Sequence, residues 1–249
     1  MSTPHPVFLD ADWPMPESVG CVVSTRKGGQ STGSYDSLNL ADHVGDQGDA
    51  VLANRKLVAA QYADIAQWQW LEQTHSADVH AVETARLPIT GDGLVTKTRG
   101  LACCILTADC LPILLCNEEG SEVAAVHGGW RGLAAGIIGN TLDKMRSSPG
   151  SLMAWLGPAI ASCHFEVGAE VREQFLAGNP SAAIDAQFGP ADQGKYMVDL
   201  YGIARTQLQQ LGVDRIHGGG LCTYCDSEHF YSYRRDGQCG RMLSAIFLR

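Results

Sequence analysis

The chain has 249 residues, 45% of them hydrophobic and 18% charged, with a formal net charge of −9. This composition supplies a sizeable apolar core and makes no case for disorder. The acidic balance offers no basic face for a phosphate backbone, so no nucleic acid polymer is expected as a partner, although a few local arginines can still hold a small anion. The N-terminal twenty residues lack the basic and apolar regions of a signal peptide. The most apolar run, residues 101–116, is broken by Thr107, Asp109 and Pro112 and is too short to span a bilayer. We therefore expect a soluble, cytoplasmic monomer without a membrane partner. Nine cysteines with no even spacing framework read as thiols, and Cys103, Cys104 and Cys116 as small buried hydrophobes.

In chain order, residues 20–26 read as a strand leading into the glycine turn KGGQSTGSYDSLNL. Asp49 is a plausible N-cap for the helical periodicity of VLANRKLVAAQYA. Short strands at 69–71 and 78–83 flank His75. Strands at 100–106 and 111–116 bracket TADC, which places Cys110 at a strand edge or irregularity. A turn at 118–120 precedes a buried strand at 122–126, then HGGWRG and a helix over LAAGIIGNTLDKMRS despite Gly136 and Gly139. Strand, glycine loop and helix in succession aim backbone N–H groups at one spot. Amphipathic helices are expected at 169–177 and 198–211, and strands at 214–217 and over MLSAIFL, with SYRRDG a turn between strands. The pattern predicts a single α/β domain over residues 1–249, with mixed β-sheets and flanking helices.

Three residues stand out: His75 in QTHS, Cys110 in TADC and His127 in VHGGWRG. Two imidazoles and a thiolate suit Zn²⁺ and leave a fourth position open. Their spacing is too long for one local metal loop, so only the fold can bring them together. Each also has an ordinary reading, as a structural histidine or a buried thiol. Gly128, Gly129 and Arg131 shift the odds for His127, because they admit a ligand to the backbone beside a fixed guanidinium. Asp109 reads as an acceptor that orients a histidine N–H. The pair Cys222 and Cys225 in CTYC has metal or redox spacing but no second CxxC. SLNL and HVGD read as Asx-type turns.

Taken together, STRKGG, SLNL, HVGD, QTHS, TADCLPILL, AAVHGGWRG, LGPAI, FEVG, the CT of CTYC, YSYRRDG and GRM resemble the YfiH family, also called the laccase-domain or peptidoglycan-editing-factor family. Their order and spacing over some 220 residues make the match specific. The chain departs from the family pattern at Ser76, where glycine is more usual, and at Gly93, where alanine is commoner. The resemblance implies a YfiH-like α/β fold. It also implies a purine nucleoside phosphorylase acting on adenosine, inosine or methylthioadenosine with phosphate, and an adenosine deaminase side activity. Zinc would be held at His75, Cys110 and His127. Relatives have also been described as polyphenol oxidases and as editors of peptidoglycan precursors.

Phosphorolysis needs phosphate held against C1′, and deamination needs an activated water. We accordingly assign Arg26 and Arg131 as phosphate ligands and Asn39 as a substrate contact. Three rivals remain at this stage. One is a cysteine-dependent amidase with Cys110 as nucleophile and His127 as base. Another is a non-catalytic domain with a closed structural zinc, completed by His80, Cys163 or His164. The weakest is a copper polyphenol oxidase, since eight scattered histidines include no HxH run.

Overall fold

The computed structural model describes residues 5–178 and 180–249. Its strands are β1 (Val19–Val23), β2 (Gln67–Gln69), β3 (Leu71–Glu72), β4 (Val79–Ala81), β5 (Ile89–Thr90), β6 (Gly93–Thr96), β7 (Leu101–Thr107), β8 (Leu111–Asn117), β9 (Val123–Gly128), β10 (Leu152–Leu156), β11 (Glu166–Val167), β12 (Phe188–Pro190), β13 (Tyr196–Val198), β14 (Arg215–Gly218) and β15 (Met242–Leu248). Its α-helices are α1 (Gly48–Ala59), α2 (Trp130–Ala134), α3 (Ile137–Lys144), α4 (Ala169–Gly178), α5 (Ala182–Asp185), α6 (Leu200–Gln210) and α7 (Tyr233–Asp236).

Two mixed sheets form the frame. One has the order β1-β15-β7-β2 and the other β14-β10-β8-β9-β6-β4. The continuous apolar runs LACCILT and LPILLCN are buried at every position because both faces of their strands are covered. In β7, Cys103 and Ile105 point between the sheets, towards Leu114, Cys116 and Ala125. The alternate residues Ala102, Cys104 and Leu106 pack with Leu38 and Val58 on the α1 side. In β8, Leu111, Ile113 and Leu115 meet Ile137, Phe175 and Leu208 from the helices on the far side. The layers thus run helix, sheet, sheet, helices, and each buried Leu, Ile or Phe contributes roughly 1.5–3 kcal/mol. As expected for core thiols, burial raises the pKa of Cys103 and Cys104, and pushes Cys116 up to about 12.

The helices depart from the sequence reading in four places. Gln47, not Asp49, is the N-cap of α1, and Asp49 lies in the first turn, where its charge suits the helix dipole. The helix expected over LAAGIIGNTLDKMRS is two helices, because Gly136 adopts φ 86° between α2 and α3. α6 starts at Leu200, where the Asp199 side chain accepts the Gly202 N–H at 3.0 Å, while Val198 ends a strand. SYRRDG contains the short helix α7, capped by Ser232. Among the described residues, no helix is long and apolar enough to cross a membrane.

Candidate active site and metal centre

β7 belongs to the four-stranded sheet and β8 to the six-stranded one, so Ala108, Asp109 and Cys110 form the crossover between sheets. His127 lies near the end of β9, opposite Pro112 of β8. His75 sits in the loop after β3. That loop is tied to the first sheet by Gln73, whose side-chain amide exchanges two 2.8 Å hydrogen bonds with the Leu106 backbone. It is tied to the second sheet by Asp92, just before β6. The three residues do converge: their ligand atoms lie within 4.8 Å of one another, and His75 Nε2 is 3.7 Å from Cys110 Sγ. His75 (φ 61°) and Asp109 (φ 92°) are two of the three non-glycine residues with positive φ among those described. Sparsely populated backbone of this kind gathers at functional sites.

Asp92 is fully buried and organises the group. Its Oδ1 accepts the His75 N–H at 3.0 Å and the His127 Nδ1–H at 2.7 Å. Its Oδ2 accepts from the backbone N–H groups of Thr74 (3.2 Å) and Ser76 (2.7 Å) and from both hydroxyls. Its backbone carbonyl takes the His127 N–H at 2.8 Å. Burial works against the ionised carboxyl, but the His127 contact and then Ser76 hold it well below the usual carboxylate range. Burial also opposes the Cys110 thiolate, yet His127 and then His75 bring that thiol down to about 6. For His127, burial favours the neutral ring, and Cys110 followed by Asp92 outweighs it, pushing the imidazole up to about 9. The thiol and imidazole therefore favour their charged forms together.

This donor set fits a zinc ion. With Nδ1 bonded to Asp92, His127 turns Nε2 towards Cys110 and His75, the arrangement of a carboxylate-oriented metal ligand. The 3.7 Å separation of His75 Nε2 and Cys110 Sγ is close to the edge of about 3.6 Å in a tetrahedron with Zn–N about 2.1 Å and Zn–S about 2.3 Å. Gly129 lines the same spot: a Cβ there would stand 2.9 Å from His75 Cδ2 and 3.3 Å from Cys110 Sγ. Three protein donors leave one side of the set facing a cavity of about 480 Å³, within the roughly 300–1,000 Å³ range of small-molecule sites. Its lining residues include His43, Phe165, Tyr233, Arg234 and Arg241.

Several expected contacts lie elsewhere. Arg26, Asn39 and Arg131 do not line the cavity. Arg26 donates to the carbonyls of Asp36 and Ser227 and covers the Tyr231 ring. Arg131 is exposed and lies over the Trp130 ring. Asn39 is buried in the Asx-type turn expected of SLNL, accepting the Ala41 N–H at 3.0 Å. It also accepts the Arg241 backbone N–H at 3.0 Å, so it supports a cavity residue without facing the cavity. Asp109 orients no histidine: it accepts from Thr223 Oγ1 (2.6 Å) and the Arg234 backbone N–H (2.7 Å). The orienting carboxylate is Asp92 in GDGL, a residue to which the sequence reading assigns no role. None of the suggested fourth ligands closes the set. His80 Nε2 pairs with the Thr90 carbonyl, and Cys163 and His164 gather with Cys222 and Cys225.

The cavity arginines to which the sequence reading assigns no role come from the C-terminal segment. Neither Arg234 nor Arg241 has a carboxylate within 4 Å among the described residues. Arg234 Nη1 donates to the carbonyls of His164 and Glu166, and Arg241 Nη1 to those of Cys239 and Gly240. Two fixed cations thus face an otherwise acidic protein's cavity. The only signal in the sequence was two arginine-containing motifs, YSYRRDG and GRM, without an assigned task.

A family model described as multi-copper polyphenol oxidoreductase laccase matches residues 20–249. An Escherichia coli (strain K12) protein named purine nucleoside phosphorylase YfiH is 46% identical over 245 residues, covering 95% of this chain and 96% of that protein. A Pseudomonas aeruginosa protein, also named a purine nucleoside phosphorylase, is 43% identical over 243 residues, covering 97% and 98%. Among solved structures, a Neisseria meningitidis protein aligns with a TM-score of 0.92 at 44% identity, over 97% of this chain and 98% of its own. The Bacillus licheniformis hypothetical protein YfiH aligns with a TM-score of 0.86 at 32% identity, over 93% of each chain. With the whole motif series in place on this fold, the chain belongs to the YfiH family of laccase-like domains.

Proposed function

We propose that residues 1–249 form one zinc-dependent catalytic domain that splits adenosine, inosine or methylthioadenosine with phosphate, and deaminates adenosine as a side reaction. The observation carrying this reading is the three-donor set His75, Cys110 and His127 beside a cavity that presents two guanidinium groups without carboxylate partners. The names of the bacterial relatives support it.

Phosphorolysis breaks the bond from C1′ to the purine, while a phosphate oxygen bonds to C1′ and the departing base takes a proton. Arg234 and Arg241 hold the phosphate and offset its charge. The rings of Phe165 and Tyr233, over which Arg234 (5.4 Å) and Arg241 (5.8 Å) lie, would offer their remaining apolar surface to the purine. His43, whose Nδ1 lies 3.5 Å from Asp42, is the cavity imidazole outside the donor set and would pass a proton to the leaving base. A zinc ion held by His75, Cys110 and His127 would supply Lewis-acid activation of water, which the deaminase side reaction requires. Zinc-replete protein with adenosine, inosine or methylthioadenosine plus phosphate is expected to release free base and the corresponding ribose-1-phosphate. Absence of turnover with all three nucleosides would overturn the reading, and ammonia release from adenosine reports the side reaction separately.

Two substitutions probe the cavity walls. Arg234→Ala and Arg241→Ala should each raise the KM for phosphate about tenfold or more, through loss of charge-assisted hydrogen bonds worth roughly 1.5–3 kcal/mol. The KM for nucleoside should move much less, and equal changes in both would remove the arginines from the phosphate site. Gly129→Ala tests the donor set by crowding alone. The backbone there (φ −64°, ψ 151°) accepts alanine, yet the new methyl would press on the His75 ring. Zinc affinity should fall on the order of tenfold or more while the melting temperature holds, as read by metal competition and calorimetry.

A second reading draws on the sequence Cys110, His127, Asp92, which also matches nucleophile, base and orienting carboxylate. A cysteine-dependent amidase acting on peptidoglycan precursors would keep its activity in chelator and lose it to alkylating reagents, and the phosphorylase should do the reverse. Polyphenol oxidation by several coppers finds less support, because neither donor group in the described residues is the histidine-rich set that chemistry uses.

A further inference from the structure

Cys163, His164, Cys222 and Cys225 form a second group of soft donors outside the cavity lining, with all ligand atoms within 4.8 Å of one another. We propose that these four side chains hold a second zinc ion in a closed Cys₃His site whose task is structural. The proposal stands independently of the reaction catalysed at the cavity.

The geometry is that of a coordination shell awaiting its centre. A tetrahedron with zinc–sulfur bonds of about 2.3 Å has sulfur–sulfur edges of about 3.8 Å. Cys163 Sγ lies 3.8 Å from Cys222 Sγ and 3.6 Å from Cys225 Sγ. His164 Nδ1 lies 3.1 Å from Cys163 Sγ and 3.3 Å from Cys225 Sγ, a few tenths inside the ideal nitrogen–sulfur edge of about 3.6 Å. Three thiols cannot all be satisfied by one disulfide, whereas one tetrahedral ion uses all four donors. Three thiolates and an imidazole select a soft or borderline ion in tetrahedral geometry, which is zinc's preference.

The surroundings match. Cys222 and Cys225 have the two-residue spacing of a zinc knuckle, in which backbone N–H groups point at the first sulfur. Here the Ala161 N–H reaches Cys222 Sγ at 3.4 Å, and those of Tyr224 and Cys225 also face it. The His164 ring is held by stacking on Tyr224, with centroids 4.0 Å apart.

The site would reinforce two loops that the Ala159–Cys222 backbone bridge already brings side by side. One contains Cys163 and His164 and leads to Phe165 of the cavity wall. The other, CTYC, places Thr223 between its two cysteines, where its hydroxyl donates to Asp109, the neighbour of Cys110. An ion here would therefore fix a wall of the cavity and one support of its floor without touching substrate.

The test uses full-length Cys110→Ala protein, which disables the cavity set and leaves the second group intact. Reduced, metal-free protein is titrated with Co²⁺ and then Zn²⁺. One equivalent of Co²⁺ should bind with the strong visible bands of a tetrahedral ion and the thiolate charge-transfer intensity of three sulfurs, and Zn²⁺ should displace it. Cys225→Ser in the wild-type background should lower the zinc content of purified protein from two ions per chain to one. A Cys110→Ala protein that binds no Co²⁺, or an octahedral weakly absorbing spectrum, overturns the proposal. So does wild-type zinc stoichiometry in Cys225→Ser, or a disulfide among the three cysteines in freshly prepared reduced protein by intact mass.

Discussion

Asp92→Asn is expected to lower both zinc affinity at the cavity and kcat/KM for phosphorolysis by up to about 10²-fold, the upper range for a carboxylate that orients a metal-binding histidine. The reason is a conflict of donors. Both oxygens of Asp92 receive only N–H and O–H groups: Oδ1 from His75 and His127, Oδ2 from Thr74 and Ser76. An asparagine must turn its NH₂ towards one set or the other. Facing Thr74 and Ser76 it opposes two backbone N–H groups, whereas facing His127 it opposes only that of His75, so the less costly choice faces His127. The imidazole must then accept at Nδ1 and carry its proton on Nε2, the atom it would offer to zinc. Stability should fall as well, by roughly 1–3 kcal/mol for the mismatched buried group. Zinc competition and steady-state kinetics check the prediction, and wild-type values in both would reduce Asp92 to a loop anchor.

Cys110→Ala should cost on the order of 10³-fold in turnover, roughly 4 kcal/mol of barrier, and should release the cavity zinc. The thiol itself reports how it is used. In metal-free protein its pKa of about 6 leaves it mostly thiolate at neutral pH. The rate of alkylation by iodoacetamide should then stay level down to about pH 6 and fall below it, whereas an ordinary thiol loses reactivity below about pH 8.5. Zinc should slow the reaction by occupying the sulfur lone pair. Alkylation equally fast with and without zinc, together with activity that survives chelation, would transfer Cys110 from ligand to nucleophile and favour the amidase.

What the sequence could announce was decided by how locally each feature is encoded. The paired runs LACCILT and LPILLCN reveal buried strands, and HGGWRG reveals its own turn, so His75, Cys110 and His127 could be nominated from their immediate neighbours. Asp92 could not, because its meaning depends on β6 pairing with β9, which delivers His127 to it across the sheet. Arg241 reaches the cavity with its backbone N–H held by Asn39, some two hundred residues earlier. The glycine turn and HGGWRG suggest arginines at the cavity, but the fold places Arg26 over Tyr231 and Arg131 over Trp130, away from its lining. The interruption at Gly136 was visible as a residue and invisible as a break, since glycine also occurs within helices. Cys163 and His164 carry no local sign of their partners, because only the fold brings them to Cys222 and Cys225.

The crossover of the chain between sheets at Ala108–Asp109–Cys110 has a mechanical consequence. The cavity donors are shared between the two halves of the sandwich: His127 comes from one sheet, Cys110 from the strap joining both, and His75 from a loop fastened to each by Gln73 and Asp92. An ion gripping all three would act as a rivet through the interlayer seam. Sliding of one sheet over the other would then pull directly on the ligands, so the shear stiffness of the whole sandwich and the integrity of the reactive centre become one property.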